Sequence, residues 1–329
     1  MKTDTGFRGN ERESPRPRTG KKAFSSMNSG ILDRFRNTAL EKQLGVYGVH
    51  IYQKGAGCQL FLREEERTHL YSGSKTFASM AVGIAVGEGR FLLSDAALDF
   101  FPEYRSIASE GNERITVRDL LQMRAGHEAS LFSTSAASWE RGRDWAQAFF
   151  QTPVRIPAGT AFLYDNGCTY MLSRIVEAVC GQTLRAYLVP RLFDPLDIFN
   201  PQWHACPAGH SLGAIGLYLT TEEFSRLGIL LLQNGRWRER ELVPEQYVRA
   251  AAADFVASES FDDPENRQGY GYQLWRCTVP GAFRADGKYG QYSVVLPDRE
   301  SVVTVTAHNE TCANDILRAV WTDLLPLLD

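Results

Sequence analysis

The chain has no long apolar run, no paired cysteines and no excess of charge of either sign. No stretch approaches the ~20 apolar residues that a membrane-spanning helix needs. The six cysteines (Cys58, Cys168, Cys180, Cys206, Cys277 and Cys312) are scattered without a C-x-x-C pair. That removes the patterns of a zinc cluster and of a dithiol redox motif, and leaves free thiols of a reducing compartment. A net charge of −3, with 23% charged residues, gives no basic face for nucleic acid or an anionic membrane. His127-Glu128 opens like a zinc-protease helix, but no second histidine follows at the required spacing. His204 and His210 stand too isolated to make a metal site, so neither a metal nor a cofactor is expected.

With 329 residues the chain can bury an ample core as one large domain or two smaller ones. Residues 1–30 are rich in Arg, Lys, Glu, Pro, Ser and Gly, and read as a disordered tail, not a secretory signal. On that reading the chain as given is cytoplasmic. A helix is expected over 32–44 with Leu32, Phe35, Leu40 and Leu44 facing the core and Gly45 as its stop. Strands over 46–53 and 59–63 follow, joined through Lys54-Gly-Ala-Gly57. The middle of the chain reads as mostly helical, with one helix over 169–179 and another opening at Thr221 and stopping at Asn234-Gly235. Strand character returns at 270–279, 281–285, 289–295 and 301–307, before a closing amphipathic helix over 316–325. The plainest architecture is α+β. One antiparallel sheet is built from both ends of the chain (31–71 and 253–329) and flanked by terminal helices, with a helical subdomain (72–252) inserted.

The most informative run is His69-Leu-Tyr-Ser-Gly-Ser-Lys-Thr-Phe-Ala78. Ser72 and Lys75, three residues apart at a helix start, share one face about a turn apart. That sets a weak nucleophile beside a proton acceptor, as covalent catalysis by serine requires. Taken alone, the pair is equally a serine cap followed by a solvated lysine. The helix after it decides between them. Phe77, Met80, Ala81, Ile84 and Ala85 fall at helical spacing, with small residues filling most of the rest, so it reads as buried nearly all round and stopped by Gly89. A lysine at the head of a buried helix needs a partner or a job.

Two further segments carry possible chemistry. Tyr164-Asp-Asn166 is the only Tyr-x-Asn in the chain, and Asp286-Gly-Lys288-Tyr-Gly290-Gln291-Tyr292 runs into a strand of the sheet interior. With these three motifs in this order, residues 40 to 329 resemble the serine β-lactamase and penicillin-binding superfamily. The likeness is greatest to the class C β-lactamase-like branch, which includes D-alanyl-D-alanine carboxypeptidases, D-aminopeptidases, esterases and nylon-oligomer hydrolases. The segments 115–126, 181–187 and 192–196 look like landmarks of the same family.

The resemblance implies a β-lactamase/transpeptidase-like fold and a serine hydrolase working through an acyl-enzyme. Ser72 would be the nucleophile and Lys75 a neutral base, its pKa lowered by burial and by Lys288 as a second cation. Tyr164 would share the base role and activate the deacylating water. Asn166 would bind the substrate amide or hold Lys75. Backbone N–H groups of Ser72 and Gln291 would meet the oxyanion, and Lys288, Tyr289 and Gly290 would complete the substrate site. Many β-lactamases carry Thr or Ser at the middle of the third motif, where this chain has Tyr289. The form Gly287-Lys-Tyr-Gly290-Gln291 looks more like the esterase and amide-hydrolase members, so a small-molecule ester, amide or peptide is the expected partner. An alternative is a penicillin-binding or sensor protein with little turnover.

A rival from another class is Gly209-His-Ser211-Leu-Gly213, the literal pattern of a lipase nucleophile elbow. That elbow needs a buried strand before it and a helix directly after. Two prolines precede it, Pro201 and Pro207, and no helix opens until Thr221. The chain also lacks the strand–helix alternation of a parallel sheet.

Overall fold

The computed structural model describes residues 25–132 and 144–329. Most of the expected tail lies outside them. Its last residues do not behave as a tail, because Ser25 and Ser26 pair in parallel with Ala56 and Gly57.

Seven strands form the main sheet. They are β1 (Ser25–Ser26), β2 (Val46–Gln53), β3 (Ala56–Phe61), β4 (Trp275–Arg276), β5 (Phe283–Gly287), β6 (Gln291–Leu296) and β7 (Ser301–Ala307). Their order across the sheet is β1-β3-β2-β7-β6-β5-β4. Apart from β1 with β3, every pair is antiparallel. The two ends of the chain meet where β2 pairs with β7, as at Val49 with Val305 and Ile51 with Val303. All of β6 and β7 is buried, which suits their near-continuous runs of β-branched residues.

Helices cover both faces. On one side α1 (Asp33–Glu41) and the short C-terminal helix Asn314–Ala319 bring Leu32, Phe35, Ile316 and Leu317 against Val49, Ile51, Val303 and Val305. On the other lie the helices of the insert: α2 (Ser74–Gly87), α3 (Asn166–Cys180) and α4 (Thr221–Leu232). Thr220 and Glu223 close a capping box at the head of α4. Gly228 lets that helix settle on the sheet, because a Cβ there would come within 2.4 Å of the Ser293 hydroxyl. The α+β architecture expected from the sequence is the one observed.

The differences have local causes. A 3-10 turn, Ser29–Leu32, precedes α1 and rotates its buried stripe onto Leu32, Phe35 and Ala39, which leaves Leu40 58% exposed instead of facing the core. The β2–β3 turn is the two-residue Lys54-Gly55, both at positive φ, so β3 starts at Ala56, earlier than expected. The strand expected over 270–279 shrinks to Trp275–Arg276, because Gln273 takes a left-handed turn at φ 63°. A small sheet that the sequence did not announce joins the insert to the segment before it: Leu217–Leu219 pairs with Thr68–His69 on one side and Gln202–Trp203 on the other. Among the described residues, no helix is long and apolar enough to cross a membrane.

Candidate active site

Ser72 lies in a single 3-10 turn, Tyr71–Gly73, that leads directly into α2. The turn is tied on both sides. Leu70 donates its N–H to the Leu217 carbonyl at 2.9 Å, and the Ser74 hydroxyl accepts from the Leu217 N–H at 3.2 Å. Further along, the Thr76 hydroxyl donates to the Gln273 carbonyl at 2.9 Å. As expected, α2 is buried from Ser74 to Ala85. Its small residues permit this: a Cβ on Gly83 or Gly87 would come within 2.4 Å of Tyr247 or Pro244.

One turn on, Lys75 is 1% exposed. Its Nζ lies 3.0 Å from Ser72 Oγ, 2.7 Å from Asn166 Oδ1 and 3.0 Å from the Ala214 carbonyl. Burial lowers its pKa to about 7, against the opposing pull of Asp165, Cys168 and Asp286. Lys288 has no part in this, contrary to expectation. It is exposed at the β5–β6 hairpin, its ammonium 4.6 Å from the centre of the Tyr289 ring. Of the two causes expected, burial and a second cation, burial is the one that acts.

Tyr164 and Asn166 arrive together at the head of α3. Asp165 between them is the N-cap, its carboxylate accepting from the N–H groups of Gly167 at 2.8 Å and Leu131 at 2.7 Å. The buried His127 ring stands 3.6 Å from the other Asp165 oxygen. The Tyr164 ring stacks on Trp275 at 5.5 Å, and Lys75 Nζ sits 5.0 Å from its centroid. Burial and Asp286 push the phenol well above its ordinary pKa against the opposing pull of the Ser72 hydroxyl, so it is neutral. Ser72, Lys75, Tyr164 and Asn166, distant in sequence, therefore meet in one cluster.

The third segment is placed differently from the expectation. Because β5 lies outside β6, it is the end of β5 that packs against the nucleophile turn. A Cβ on Gly287 would stand 2.1 Å from the Leu70 carbonyl oxygen and 3.1 Å from the Gly73 nitrogen. Gly290 instead turns the hairpin at φ 97°, facing Ile316 on the other side of the sheet. Gln291 sits one strand further in, opposite Gly287, with its carboxamide bonded to Ala307. Tyr289, at φ 68°, stacks on His308 at 4.3 Å and meets Tyr71 edge-on at 5.1 Å, which puts it on the rim beside Ser72.

Ser211 is no rival nucleophile. It is 4% exposed, its hydroxyl accepts the Arg185 N–H at 3.3 Å, and its carbonyl accepts from Ser173 at 2.9 Å. What its loop supplies is the Ala214 carbonyl. The sequence missed that contact, along with Asp165 as cap and Gly287 as the point of close approach.

Comparison with known proteins bears on the family and the fold. The family model described as Beta-lactamase matches residues 46–319. The chain belongs to the beta-lactamase family. Among its relatives, the 6-aminohexanoate-dimer hydrolase of Paenarthrobacter ureafaciens is 24% identical over 258 residues, 73% of this chain and 65% of that protein. Protein flp of Staphylococcus aureus (strain MW2) is 26% identical over 129 residues, 39% of this chain. The matched part spans only 26% of that protein's length. Among solved structures, a putative 6-aminohexanoate-dimer hydrolase from Bacillus anthracis superposes with a TM-score of 0.77 at 18% identity. That match covers 94% of this chain and 87% of the other. EstCE1, a hydrolase with promiscuous acyltransferase activity, gives a TM-score of 0.71 at 15% identity, covering 89% of this chain and 99% of its own. At these identities the structural likeness establishes the fold.

Proposed function

We propose that the protein is a serine hydrolase that cleaves an ester or small amide through an acyl-enzyme on Ser72. The observation that carries this reading is the buried Lys75 amine, 3.0 Å from Ser72 Oγ and with its pKa lowered to about 7. A neutral amine at that distance takes the hydroxyl proton as Oγ adds to the substrate carbonyl. Asn166 and the Ala214 carbonyl hold the amine in place before and after it is charged.

The oxyanion is met by backbone N–H groups of the Ser72 turn and of the β5 end that Gly287 brings against it. Tyr164, a neutral phenol beside Ser72 and Lys75, gives its proton to the leaving group and takes one from the Lys75 ammonium. In the second half-reaction the neutral Lys75 amine takes a proton from the attacking water and returns it to Ser72 Oγ as the acyl bond breaks, with Tyr164 staying a neutral phenol. Relatives named 6-aminohexanoate-dimer hydrolase and lovastatin esterase support an amide or ester as the substrate.

The test is the turnover of p-nitrophenyl esters of short acids against that of a chromogenic cephalosporin. The esters should turn over faster. The opposite ranking contradicts the substrate preference, and stable acylation without turnover would make the protein a penicillin-binding one.

A further inference from the structure

Asp286 is an ionisable group of the site that the mechanism above leaves unused. Asp286 precedes Gly287 on β5, so it stands one residue from the strand's contact with the nucleophile turn. Strand β4 pairs with β5 only at Phe283 and Arg284, and among the described residues the outer edge of β5 is unpaired from Ala285 onward. Asp286 therefore sits on a free strand edge. Its charge is felt by both Lys75 and Tyr164, the two groups that flank Ser72.

The carboxylate is fixed at one oxygen and open at the other. Arg284, with a fully buried side chain, donates Nε to Asp286 Oδ2 at 2.8 Å. Among the described residues Oδ1 makes no hydrogen bond, and the side chain keeps 17% of its accessibility. Arg284 does not cancel the charge, because its guanidinium also lies 3.7 Å from Glu265. One cation between two carboxylates leaves the trio with net negative charge. Of the other cations, Lys75 is neutral when it acts as the base, and Lys288 lies out over Tyr289.

Resting on the serine-hydrolase reading, we propose that Asp286 is a specificity-determining residue that selects substrates carrying a positive charge, such as an ammonium group, near the scissile carbonyl, and disfavours those carrying a carboxylate there. A held carboxylate with an open oxygen attracts a cation without reorganising, and partial burial strengthens that field relative to water.

The experiment compares two isosteric p-nitrophenyl esters that differ only in charge, 4-(trimethylammonio)butanoyl and 5,5-dimethylhexanoyl, by kcat/KM. The cationic ester should be preferred about tenfold or more at low salt. The ratio should fall toward one in Asp286→Asn. In the unaltered protein it should also fall as ionic strength rises from roughly 0.01 to 0.5 M. A ratio near one in the unaltered protein, with both esters hydrolysed, overturns the proposal and leaves the hydrolase reading intact. So does a preference that survives in a folded Asp286→Asn. Should that variant not fold, the salt series decides, and a ratio insensitive to salt overturns the proposal. Hydrolysis of neither ester removes the hydrolase reading and this proposal with it.

Discussion

Asn166 accepts a hydrogen bond from Lys75 at 2.7 Å through its carbonyl while its amide donates to the Phe132 carbonyl at 2.7 Å. The second bond fixes which end of the carboxamide meets the lysine. A neutral acceptor there holds Lys75 without favouring its charged form as an anion would.

Activity should therefore depend on pH in a defined direction. Lys75 must lose its proton to act, so kcat/KM should rise as pH increases through about 7. In Asn166→Asp a carboxylate replaces the neutral acceptor and favours the ammonium. The rise should move to higher pH by about one unit or more, as expected for an opposite charge in contact. A pH–rate series on both proteins checks this.

Gly287→Ala should inactivate the protein more than it unfolds it. The added Cβ would meet backbone atoms of Leu70 and Gly73, which cannot swing aside as a flexible side chain could. The nucleophile turn must then shift, and displacements near an ångström can cost on the order of 100-fold in rate. Gly290→Ala would meet the end of the Ile316 side chain and strain a turn at φ 97°, so its effect should fall mainly on stability. Measuring kcat/KM beside the thermal midpoint for both variants separates the two glycines.

His50 should make the fold acid-sensitive. It is 4% exposed, and burial lowers its pKa from 6.5 to about 4. The unfolded chain binds the proton more readily in that interval, so stability is lost as pH falls from 6.5 toward 4. The loss from this one group is at most roughly 3 kcal/mol. Urea unfolding at several pH values should show a smaller loss over that window in His50→Gln.

Much of the site was legible because its chemistry resides in side chains whose spacing survives in sequence. Ser72 and Lys75 needed only one helical turn, and Tyr164-Asp-Asn166 only a helix start. What could not be read depends on backbone atoms and strand order. The Ala214 carbonyl that holds Lys75 leaves no trace in residue type. Two glycines of one hairpin, Gly287 and Gly290, both sit at close approaches, and only the order of β5 and β6 decides which one meets Ser72. The same limit applies to the fold. The alternating and β-branched runs of β2 and β7 gave their bounds, whereas a 3-10 turn before α1 displaced Leu40 from the core.

The most direct measurement is covalent labelling with a fluorophosphonate serine-hydrolase probe, the adduct being located by peptide mass spectrometry. Ser72 should carry the label, with a rate that rises through pH ~7 as Lys75 loses its proton. Labelling should vanish in Ser72→Ala and persist in Ser211→Ala. A label that persists in Ser72→Ala, or one found on Ser211, would contradict the account.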